Sequence, residues 1–417
     1  MKIAVIGTGI SGNVAAYHLS NDHDVTVFEA NDYVGGHTHT HAIAYANKTY
    51  HIDTGFIVFN YKTYPNFTKL LEELNVDVQP SAMSFSVKCE RTGLEYNGTT
   101  LNTLFAQRRN LFRPSFYGMI KDILRFNKEA PSDLMVDGEP EITLGAYLLE
   151  NKYGQAFIQN YLVPMGAAIW STDPDKMLSF PARFLVRFMA NHGMLSVDDR
   201  PLWYVIKGGS NAYVSKLTAS FADKIRLNTP IESVQRFADY VMIKPADGEA
   251  EKFDAVFIAS HSNQALKMLS DATDAERSVL GAIPYQPNEA VLHTDHTILP
   301  KRKLAWAAWN YHLLPKALGK TALTYNMNIL QGLDAPVEFC VTLNNDAPIN
   351  PERIIKRIQY DHPLFTPEGA AAQARQSEIN GAQRTFYCGA YWGFGFHEDG
   401  VVSALNALAD FKKVYDV

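Results

Sequence analysis

Blocks of apolar and polar positions along the chain predict strands that alternate with helices. An apolar run at residues 2–6 leads through a glycine-rich turn into a helical stretch at 14–19, and a second apolar run follows at 25–28. This order predicts a β–α–β unit over residues 1–36, in which the helix packs against the strands. The first 36 residues therefore predict a fold of the α/β class.

The rest of the pattern predicts two regions that are interleaved along the chain. Helical periodicity prevails between about residues 66 and 200, and strand-like runs return between about 285 and 380. Helices are predicted at 67–74, 101–126, 180–189, 212–221 and 401–414. Strands are predicted at 51–59, 84–88, 231–237, 240–244, 255–259, 290–294, 305–310, 339–343 and 384–388. The alternation predicts two discontinuous domains, formed by residues 1–75, 205–284 and 381–417 and by residues 76–204 and 285–380.

The turn between the first strand and the first helix carries a phosphate-binding glycine pattern. Gly7, Gly9 and Gly12 stand in the spacing Gly-x-Gly-x-x-Gly, with Ile10 and Ser11 between the last two. Gly7 permits a tight turn, Gly9 lets the backbone approach a pyrophosphate, and Gly12 lets the helix pack on the sheet. The N-terminus of the helix then offers unpaired N–H groups and its positive dipole end to the phosphates.

An acidic residue ends the second strand and narrows the choice of nucleotide. Glu29, followed by Ala30, is placed to accept hydrogen bonds from ribose hydroxyls. A carboxylate at this position disfavours a 2′-phosphate, which argues against NADP. A glycine-rich turn without a ligand is the alternative, but the complete β–α–β context favours a dinucleotide site. These residues leave NAD and FAD both open.

Composition and charge narrow the classes of function. The 417 residues carry a formal net charge of −6, which gives no sign of nucleic-acid binding. The longest stretch without a charged residue, 153–172, contains polar side chains and is typical of a buried helix and loop rather than of a membrane span. Because the glycine turn begins at residue 7, no room remains for a signal peptide, and we expect a cytoplasmic protein.

The cysteines and histidines argue against a disulfide framework and against a metal site. The three cysteines lack the C-x-x-C spacing of a zinc site and fit a reducing cytoplasm; they are Cys89, Cys340 and Cys388. His39 and His41 alternate on a predicted strand, with no cluster of Cys or Asp nearby to complete a metal site. We therefore expect no metal.

The segment 28–38 resembles the flavin-containing amine oxidoreductase superfamily, which includes monoamine oxidases, protoporphyrinogen oxidase and phytoene desaturases. Further segments match in the same order: 53–56, 208–210 with 228–231, and 386–390 with 398–401. The resemblance implies FAD as the cofactor and an amine-oxidase-like two-domain fold, in which a Rossmann-like FAD-binding domain is interleaved with a substrate domain of mixed sheet and helices. It adds to the flavin site Gly35, Gly36, His37, Thr38, Gly55, Phe56, Ile57, Ile231, Gly389, Ala390, Glu398, Asp399 and Val401.

A second resemblance concerns the substrate. The strings 53–60, 105–114, 168–172 and 390–400 are similar to a bacterial branch of predicted NAD/FAD-binding proteins. Members of that branch commonly accompany cyclopropane-fatty-acyl synthase-like methyltransferases, and at least one is linked to desaturating methylated fatty acids on the way to furan fatty acids. The resemblance implies an apolar small-molecule or lipid acyl substrate and a lipid methyltransferase as partner.

Two departures from the superfamily bear on the chemistry. Its amine oxidases hold a water against flavin N5 with a lysine that would fall near residues 289–292, but this chain has no lysine between Lys267 and Lys301. The usual arginine after the glycine pair is His37, whose charge depends on its surroundings. The missing lysine weakens the amine-oxidase interpretation without excluding it, since the flavin carries the redox chemistry.

Candidate catalytic residues lie in the aromatic run 391–397. Tyr391 and Trp392 are candidates to flank the substrate in an apolar wall above the flavin, and an aromatic loop that packs the domain interface is the alternative. His397 is the acid/base candidate, with structural support of the flavin as its alternative role. Glu398 is expected to touch the flavin. Cys388 could form a covalent flavin thioether, but a buried strand cysteine is the favoured interpretation.

Residues 101–126 form a basic amphipathic stretch. Its five positive charges stand among apolar and aromatic side chains and are opposed by Asp122 alone. Such a stretch can lie on anionic lipid, which would suit an acyl substrate still attached to phospholipid and would place the protein at the inner face of the membrane. The alternative is a substrate-domain helix with a solvated basic face. Arg108 and Arg109 could instead meet a carboxylate or phosphate of the substrate.

Three hypotheses for the function remain open. The leading one is an FAD-dependent oxidoreductase that removes hydride from an apolar substrate and desaturates a methylated fatty acyl chain. The second keeps the fold but oxidises amines or polyamines. The third is a flavin-binding partner of a lipid methyltransferase without turnover of its own.

Overall fold

A computed structural model describes residues 1–135, 142–196, 200–316 and 318–416. The other positions fall inside the predicted domain segments and lie outside the described residues; they are 136–141, 197–199, 317 and 417. The helices are Ile10–Leu19, Pro65–Glu73, Leu101–Leu104, Pro114–Leu134, Leu144–Glu150, Gln155–Phe157, Ile158–Leu162, Val163–Trp170, Ala182–Asn191, Asn211–Thr218, Ser262–Met268, Asp274–Leu280, Met327–Leu330, Pro367–Gln373, Gln376–Ile379 and His397–Tyr415. Within the described ranges, no helix is long and apolar enough to cross a membrane.

A parallel five-stranded sheet carries the glycine turn. Its strands, in spatial order, are Ile225–Arg226, Asp24–Phe28, Lys2–Ile6, Ala255–Ile258 and Thr385–Tyr387. One face packs against the helices Ile10–Leu19, Asn211–Thr218 and His397–Tyr415. The other packs against the three-stranded sheet Ile231–Arg236, Val241–Pro245 and Glu251–Phe253. Because both faces are covered, the central strands need apolar residues on both sides, which explains their uninterrupted apolar runs.

A seven-stranded, mostly antiparallel sheet forms the second large layer. Its strands, in spatial order, are Ile354–Pro363, Tyr285–His293, Cys340–Leu343, Leu323–Asn326, Trp309–Leu313, Phe85–Cys89 and Leu94–Asn97. The pair of Trp309–Leu313 with Phe85–Cys89 is parallel. The apolar side chains of this sheet share one hydrophobic core with the helices between residues 114 and 191.

A hairpin and one buried carboxylate tie distant segments together. The hairpin pairs Thr40–Tyr45 with Lys48–Asp53. Asp53 is fully buried at its end and accepts hydrogen bonds from the Ser210 backbone N–H (2.9 Å) and from the Gln331 Nε2 (2.9 Å). Burial raises the pKa of this carboxyl to about 6. Asp53 therefore fixes the hairpin against two segments that lie far away in sequence.

A third small sheet crosses the predicted domain boundary. Trp203–Ile206 pairs with Val58–Phe59 and with Val78–Ser81, which belong to different predicted domains. By contrast, all strands of the parallel sheet come from the predicted FAD-binding segments, and all strands of the seven-stranded sheet come from the predicted substrate segments. The division into two domains stays a prediction.

Several predicted elements differ from the observed ones. The predicted helix 101–126 is broken into Leu101–Leu104, a 3₁₀ turn at Arg108–Phe112 and the helix Pro114–Leu134. Pro114 explains the break, since proline starts a helix well but disfavours helical geometry in the residue before it. The predicted strand 305–310 is observed as Trp309–Leu313. The strand Ile354–Pro363 was not predicted, because its polar sequence forms a half-exposed sheet edge.

Candidate active site

One cavity of about 900 Å³ is lined by residues of both large sheets. Part of its lining is the glycine turn with the predicted nucleotide residues, and another part is aromatic. The predicted cofactor residues that line it are Gly7, Gly9, Ile10, Ser11, Glu29, Ala30, Gly35, Gly36, His37, Gly55, Phe56, Ile57, Ile231, Gly389 and Ala390. The fold thus brings together segments as distant in the chain as Gly7 and Ala390.

The glycine turn forms an open cradle at the start of the first helix. Gly7 has a φ of +102°, which other residues rarely adopt, and Gly9 is the N-cap of Ile10–Leu19. A Cβ on Gly9 would meet nothing within 4 Å, whereas a Cβ on Gly12 would lie 1.9 Å from the Gly7 carbonyl oxygen. Gly9 therefore leaves space for a ligand, and Gly12 packs the helix on the turn without lining the cavity.

Glu29 is held in place by the turn that it follows. Its Oε2 accepts hydrogen bonds from the Thr8 backbone N–H (2.9 Å) and hydroxyl (2.5 Å), and its Oε1 accepts one from the Asn31 backbone N–H (2.9 Å). A carboxylate has about four acceptor sites, so Glu29 keeps capacity to accept from ribose hydroxyls. Its side chain is buried and lines the cavity.

Three histidines from separate segments form a histidine wall, defined as His37, His261 and His362; His37 lies in the turn after the glycine pair, and the other two lie at or just after strand ends. The His37 ring lies 5.9 Å from the His261 ring and 5.4 Å from the His362 ring, measured between centroids. Burial lowers the pKa of His37 and His362 to about 3 and that of His261 to about 4, so all three rings are neutral at pH 7. His37 stacks on Tyr360 and His261 stacks on Tyr285.

A chain of amides sets the tautomer of His362. Asn288 Oδ1 accepts a hydrogen bond from Asn344 Nδ2 (2.8 Å), which leaves its Nδ2 to donate to His362 Nδ1 (2.8 Å). Because Nδ1 accepts, Nε2 carries the proton of the neutral ring. This N–H has no partner among the described residues, and His362 lines the cavity. The sequence motifs gave no signal for His261 or His362, since only the sheets bring these strand ends together.

His397 lines the cavity but is enclosed by protein. Its Nε2 makes hydrogen bonds with the hydroxyls of Tyr213 (2.8 Å) and Thr38 (3.0 Å), and its ring stacks on Phe56 at 3.5 Å. Burial lowers the pKa of His397 well below its usual range. These contacts favour structural support of the flavin segment over the acid/base role. Thr38 itself lies outside the cavity lining.

Glu398, which is expected to touch the flavin, is not part of the cavity lining. Its carboxylate accepts hydrogen bonds from the backbone N–H groups of Asn66 (3.0 Å) and Phe67 (2.9 Å), at the start of Pro65–Glu73. The four unpaired N–H groups of a helix N-terminus attract a carboxylate, which explains the contact. Glu398 therefore caps the helix Pro65–Glu73.

Asp399 and Val401 also lie outside the cavity lining. Asp399 accepts a hydrogen bond from the Phe396 backbone N–H (2.8 Å), and burial raises its pKa to about 6. A Cβ on Gly393 would lie 2.2 Å from the Asp399 carboxylate. Asp399 thus holds the aromatic loop, defined as residues 391–397, in its tight turn.

The other candidates in the C-terminal segment fall in different places. Tyr391 lines the cavity, with a buried hydroxyl that has no partner among the described residues. Trp392 is not part of the lining. Cys388 is fully buried, burial raises its pKa to about 12, and it too is outside the lining. Cys388 is therefore a buried cysteine directly after the strand Thr385–Tyr387.

An aromatic wall covers the part of the cavity away from the glycine turn. Trp170 donates its Nε1–H to the Phe394 carbonyl (3.0 Å), which fixes the aromatic loop against the helix Val163–Trp170. His192 donates from Nδ1 to the Phe188 carbonyl (2.9 Å), so its neutral ring keeps a lone pair on Nε2. The wall consists of Trp170, Phe188, Trp203, Trp309, Tyr325, Phe365, Phe394 and Phe396, with Met83, Ile169, Met194, Leu330 and Leu343 between them.

The residues of the cavity fit FAD. The open cradle at Gly9 and the helix N-terminus suit a pyrophosphate, and Glu29 suits a ribose. His37 Nε2 and His261 Nδ1 are buried without hydrogen-bond partners among the described residues. Because such atoms cost about 1–3 kcal/mol each, a bound molecule with polar groups would stabilise the histidine wall. In the part of the chain that the structure describes, no three His, Cys, Asp or Glu side chains, the histidine wall included, are arranged so that they could hold a metal ion.

Comparison with solved structures identifies the fold. Cyclohexylamine oxidase from Brevibacterium oxydans IH-35A is 15% identical, with a TM-score of 0.70 over 99% of each chain. A conjugated-linoleic-acid (CLA)-producing fatty acid isomerase from P. acnes is 17% identical, with a TM-score of 0.70 over 98% of each chain. Wild-type putrescine oxidase is 13% identical, with a TM-score of 0.69 over 99% of each chain. At these identities the likeness establishes the fold alone.

Comparison with protein families identifies the cofactor class. No curated protein sequence matches this chain. The model of the flavin-containing amine oxidoreductase family, however, matches residues 10–324, well over half of the chain. The match confirms the superfamily, the amine-oxidase-like fold and FAD as the cofactor, all expected from the sequence. This chain belongs to the flavin-containing amine oxidoreductase family and is an FAD-dependent oxidoreductase.

Proposed function

We propose that this enzyme removes hydride from an apolar substrate, and that the substrate is a methylated fatty acyl chain which it desaturates. The observation that carries the proposal is the aromatic wall, which continues the cofactor cavity with apolar side chains. Among the described residues, the carboxylates that line the cavity are Glu29, Glu232 and Asp361, and none of them belongs to the wall. A wall without charge favours an apolar chain, because such a surface cannot replace the water lost by an ion.

The chain's own residues bind and orient the reactants. FAD, when bound, accepts a hydride and thereby supplies the redox chemistry. The aromatic wall excludes water and aligns the substrate beside the cofactor. The reaction then takes place between two bound, oriented groups and does not depend on a random encounter in solution. The neutral histidine wall adds polarity without charge, and His362 presents its Nε2–H because Asn288 donates to its Nδ1. His192 lines the cavity with a lone pair on Nε2 and is the candidate to accept the proton released from the substrate, at the cost of charging a ring whose pKa burial lowers to about 4.

Two further points support a lipid substrate. A fatty acid isomerase has the same fold, which shows that the fold can accommodate an acyl chain. The sequence resemblance to proteins that accompany lipid methyltransferases supports the methylated chain in particular. A lipid methyltransferase that supplies this substrate is accordingly the partner that we propose.

Oxidation of amines is the second candidate. Aromatic side chains can bind a cationic amine through their ring faces, and cyclohexylamine oxidase and putrescine oxidase have this fold. The lack of a carboxylate in the aromatic wall speaks against a protonated polyamine, which would lose its hydration without gaining an ion pair.

Anaerobic flavin reduction tests the proposal. The purified FAD-loaded enzyme is mixed with methylated unsaturated phospholipids or with a panel of amines, and the absorbance of oxidised flavin is followed. We expect bleaching with the lipids. If no lipid bleaches the flavin and amines bleach it rapidly, the proposal is wrong.

A charge placed in the aromatic wall separates the two candidates. Met83 lines the cavity and is half-buried, so Met83→Glu should be tolerated by the fold. We expect flavin reduction by lipid to slow about tenfold or more, because the carboxylate must be desolvated against an acyl chain. Met83→Gln, of similar shape without charge, is the matched control. A Met83→Glu enzyme that reacts faster with amines and unchanged with lipids would favour amine oxidation.

A further inference from the structure

The helix Pro114–Leu134 presents an exposed stripe on its outer face, where the Tyr117 hydroxyl donates to the Leu111 carbonyl (3.1 Å). The stripe is defined as Tyr117, Lys121, Leu124 and Lys128, which follow each other at intervals of four, three and four residues on one face. Tyr117 is 47% exposed and Leu124 is 52% exposed. The opposite face carries Phe116, Met119, Phe126, Ala130 and Leu134, all buried in the large hydrophobic core.

The 3₁₀ turn Arg108–Phe112 continues the stripe beyond the start of the helix. Phe112 is 87% exposed and Leu111 is 42% exposed at the end of this turn. Arg108 bonds to Asn102 and to the Phe105 carbonyl, and these polar contacts leave its charge in place. From the 3₁₀ turn to the end of the stripe, residues 108–128, large exposed apolar side chains thus alternate with cationic ones.

Two acidic side chains of the same helix bind other parts of the protein, and the third pairs within the helix. Asp122 accepts a hydrogen bond from the Gly154 N–H (2.8 Å), and Asp133 accepts one from the Tyr147 hydroxyl (2.8 Å). Glu129 lies 3.9 Å from Arg125, with which it forms an ion pair. Lys121 and Lys128 form no ion pair with any described residue. The exposed face is therefore cationic and apolar at once, although the whole chain has a net charge of −6.

We propose that the stripe, with Leu111 and Phe112, docks this protein on the surface of a bilayer that contains anionic phospholipids. A helix that lies in the plane of the interface needs an apolar edge that enters the headgroup region and lysines that meet the lipid phosphates. Phe112, Leu111 and Leu124 supply the former, and Lys121 and Lys128 supply the latter. Charge complementarity selects this partner, because anionic lipids attract each lysine that lies close to the membrane surface. Without these lysines, the overall negative charge of the protein would oppose binding to an anionic bilayer.

Vesicle flotation tests this proposal with the full FAD-loaded chain. The protein is mixed with vesicles of phosphatidylcholine alone or of equal parts of phosphatidylcholine and phosphatidylglycerol, and the floated fraction is measured at low and high salt. We expect flotation with the anionic vesicles only, reduced by salt because surface charges are screened. Equal flotation with both vesicle types, or none with the anionic vesicles, would overturn the proposal.

Paired charge reversals locate the contact. Lys121→Glu with Lys128→Glu should lower the fraction bound to anionic vesicles by about tenfold or more, and Phe112→Ser should lower it severalfold at either salt concentration. Lys48→Glu with Lys412→Glu changes the net charge equally at exposed sites elsewhere and is the control. Equal losses in both double variants would show a general charge effect and reject the stripe. Retention of FAD by each variant reports its folding.

This docking proposal rests on the surface and not on the proposed reaction. Flotation needs no turnover, so an enzyme that oxidises amines could still bind the vesicles, and an enzyme that desaturates free acids could fail to bind them. The two proposals can therefore fail separately.

Discussion

At the scale of single residues, the same type of side chain can have a catalytic or a structural role, and its contacts in the folded protein decide which. His397 stands in an aromatic run between flavin motifs, so its sequence context indicates acid/base chemistry. In the structure its Nε2 is bonded to two hydroxyls and its ring is stacked on Phe56. His362 has no such motif, but its tautomer is fixed by Asn288 and its N–H lacks a partner among the described residues.

Replacement of His397 separates its two roles. His397→Phe keeps the stacking on Phe56 but removes the hydrogen bonds to Thr38 and Tyr213, which should weaken FAD binding by about 1–2 kcal/mol, or roughly tenfold in the dissociation constant. We expect the pH dependence of flavin reduction to stay unchanged, since a positioning residue adds no ionisation. Loss of one ionisation from the pH profile, at unaltered FAD affinity, would restore the acid/base role.

At the scale of elements, short polar contacts decide where helices begin. Pro114 starts the long helix that the sequence pattern had placed from residue 101, and Glu398 caps Pro65–Glu73 from the far end of the chain. A pattern of apolar residues predicts that a helix exists. It does not show which distant carboxylate satisfies the N–H groups at the start of that helix.

Removal of the cap should destabilise the holoprotein. Glu398→Ala leaves the N–H groups of Asn66 and Phe67 without their acceptor, and we expect the free energy of unfolding to fall by about 1–2 kcal/mol in urea titrations. Glu73→Ala removes a carboxylate from the other end of the same helix, where it forms an exposed pair with Lys69. It should change stability by less than about 0.5 kcal/mol. Equal effects of the two variants would contradict the capping role.

At the scale of the whole molecule, buried neutral histidines link stability to pH. The histidine wall and the buried rings of His192, His293 and His312 all have pKa values lowered by burial, to about 3 or 4. Below pH 6.5 the unfolded chain therefore binds more protons at these six histidines than the folded chain, which lowers stability as pH falls. The two carboxyls whose pKa burial raises to about 6, Asp53 and Asp399, act in the opposite direction but are outnumbered, so the net stability decreases.

Unfolding measured against pH checks this linkage. We expect the free energy of unfolding of the holoprotein to be level above pH 7 and to fall progressively between pH 6.5 and about 4, by up to about 1.4 kcal/mol per pH unit for each such histidine. His312→Phe replaces one buried ring by an apolar one and should reduce the slope. A stability that does not change between pH 6.5 and 4 would contradict the burial of these rings in neutral form.

The local motifs predicted more of the cofactor site than of the substrate site. Gly7, Gly9, Glu29 and the glycine pair at 35–36 are close in sequence, and each has a fixed geometric task that limits the residue type. The aromatic wall is assembled from positions as distant as Trp170 and Phe394, which the sequence does not relate to each other. An aromatic residue also serves equally well in a core, so its presence carries no signal of its own.

By itself, the sequence determined the β–α–β unit and its nucleotide-binding turn, because these depend on short-range spacing of glycines and a carboxylate along a strand and helix. The family and FAD followed from a resemblance whose segments are spread along the whole chain. The tertiary structure decided which histidines meet, which carboxylates cap helices rather than touch the cavity, and which face of Pro114–Leu134 stays exposed. Those outcomes depend on contacts between sheets and helices that close only when the whole chain has folded. The physical reason is that hydrogen bonding and burial act over a few ångströms in space, regardless of separation along the chain.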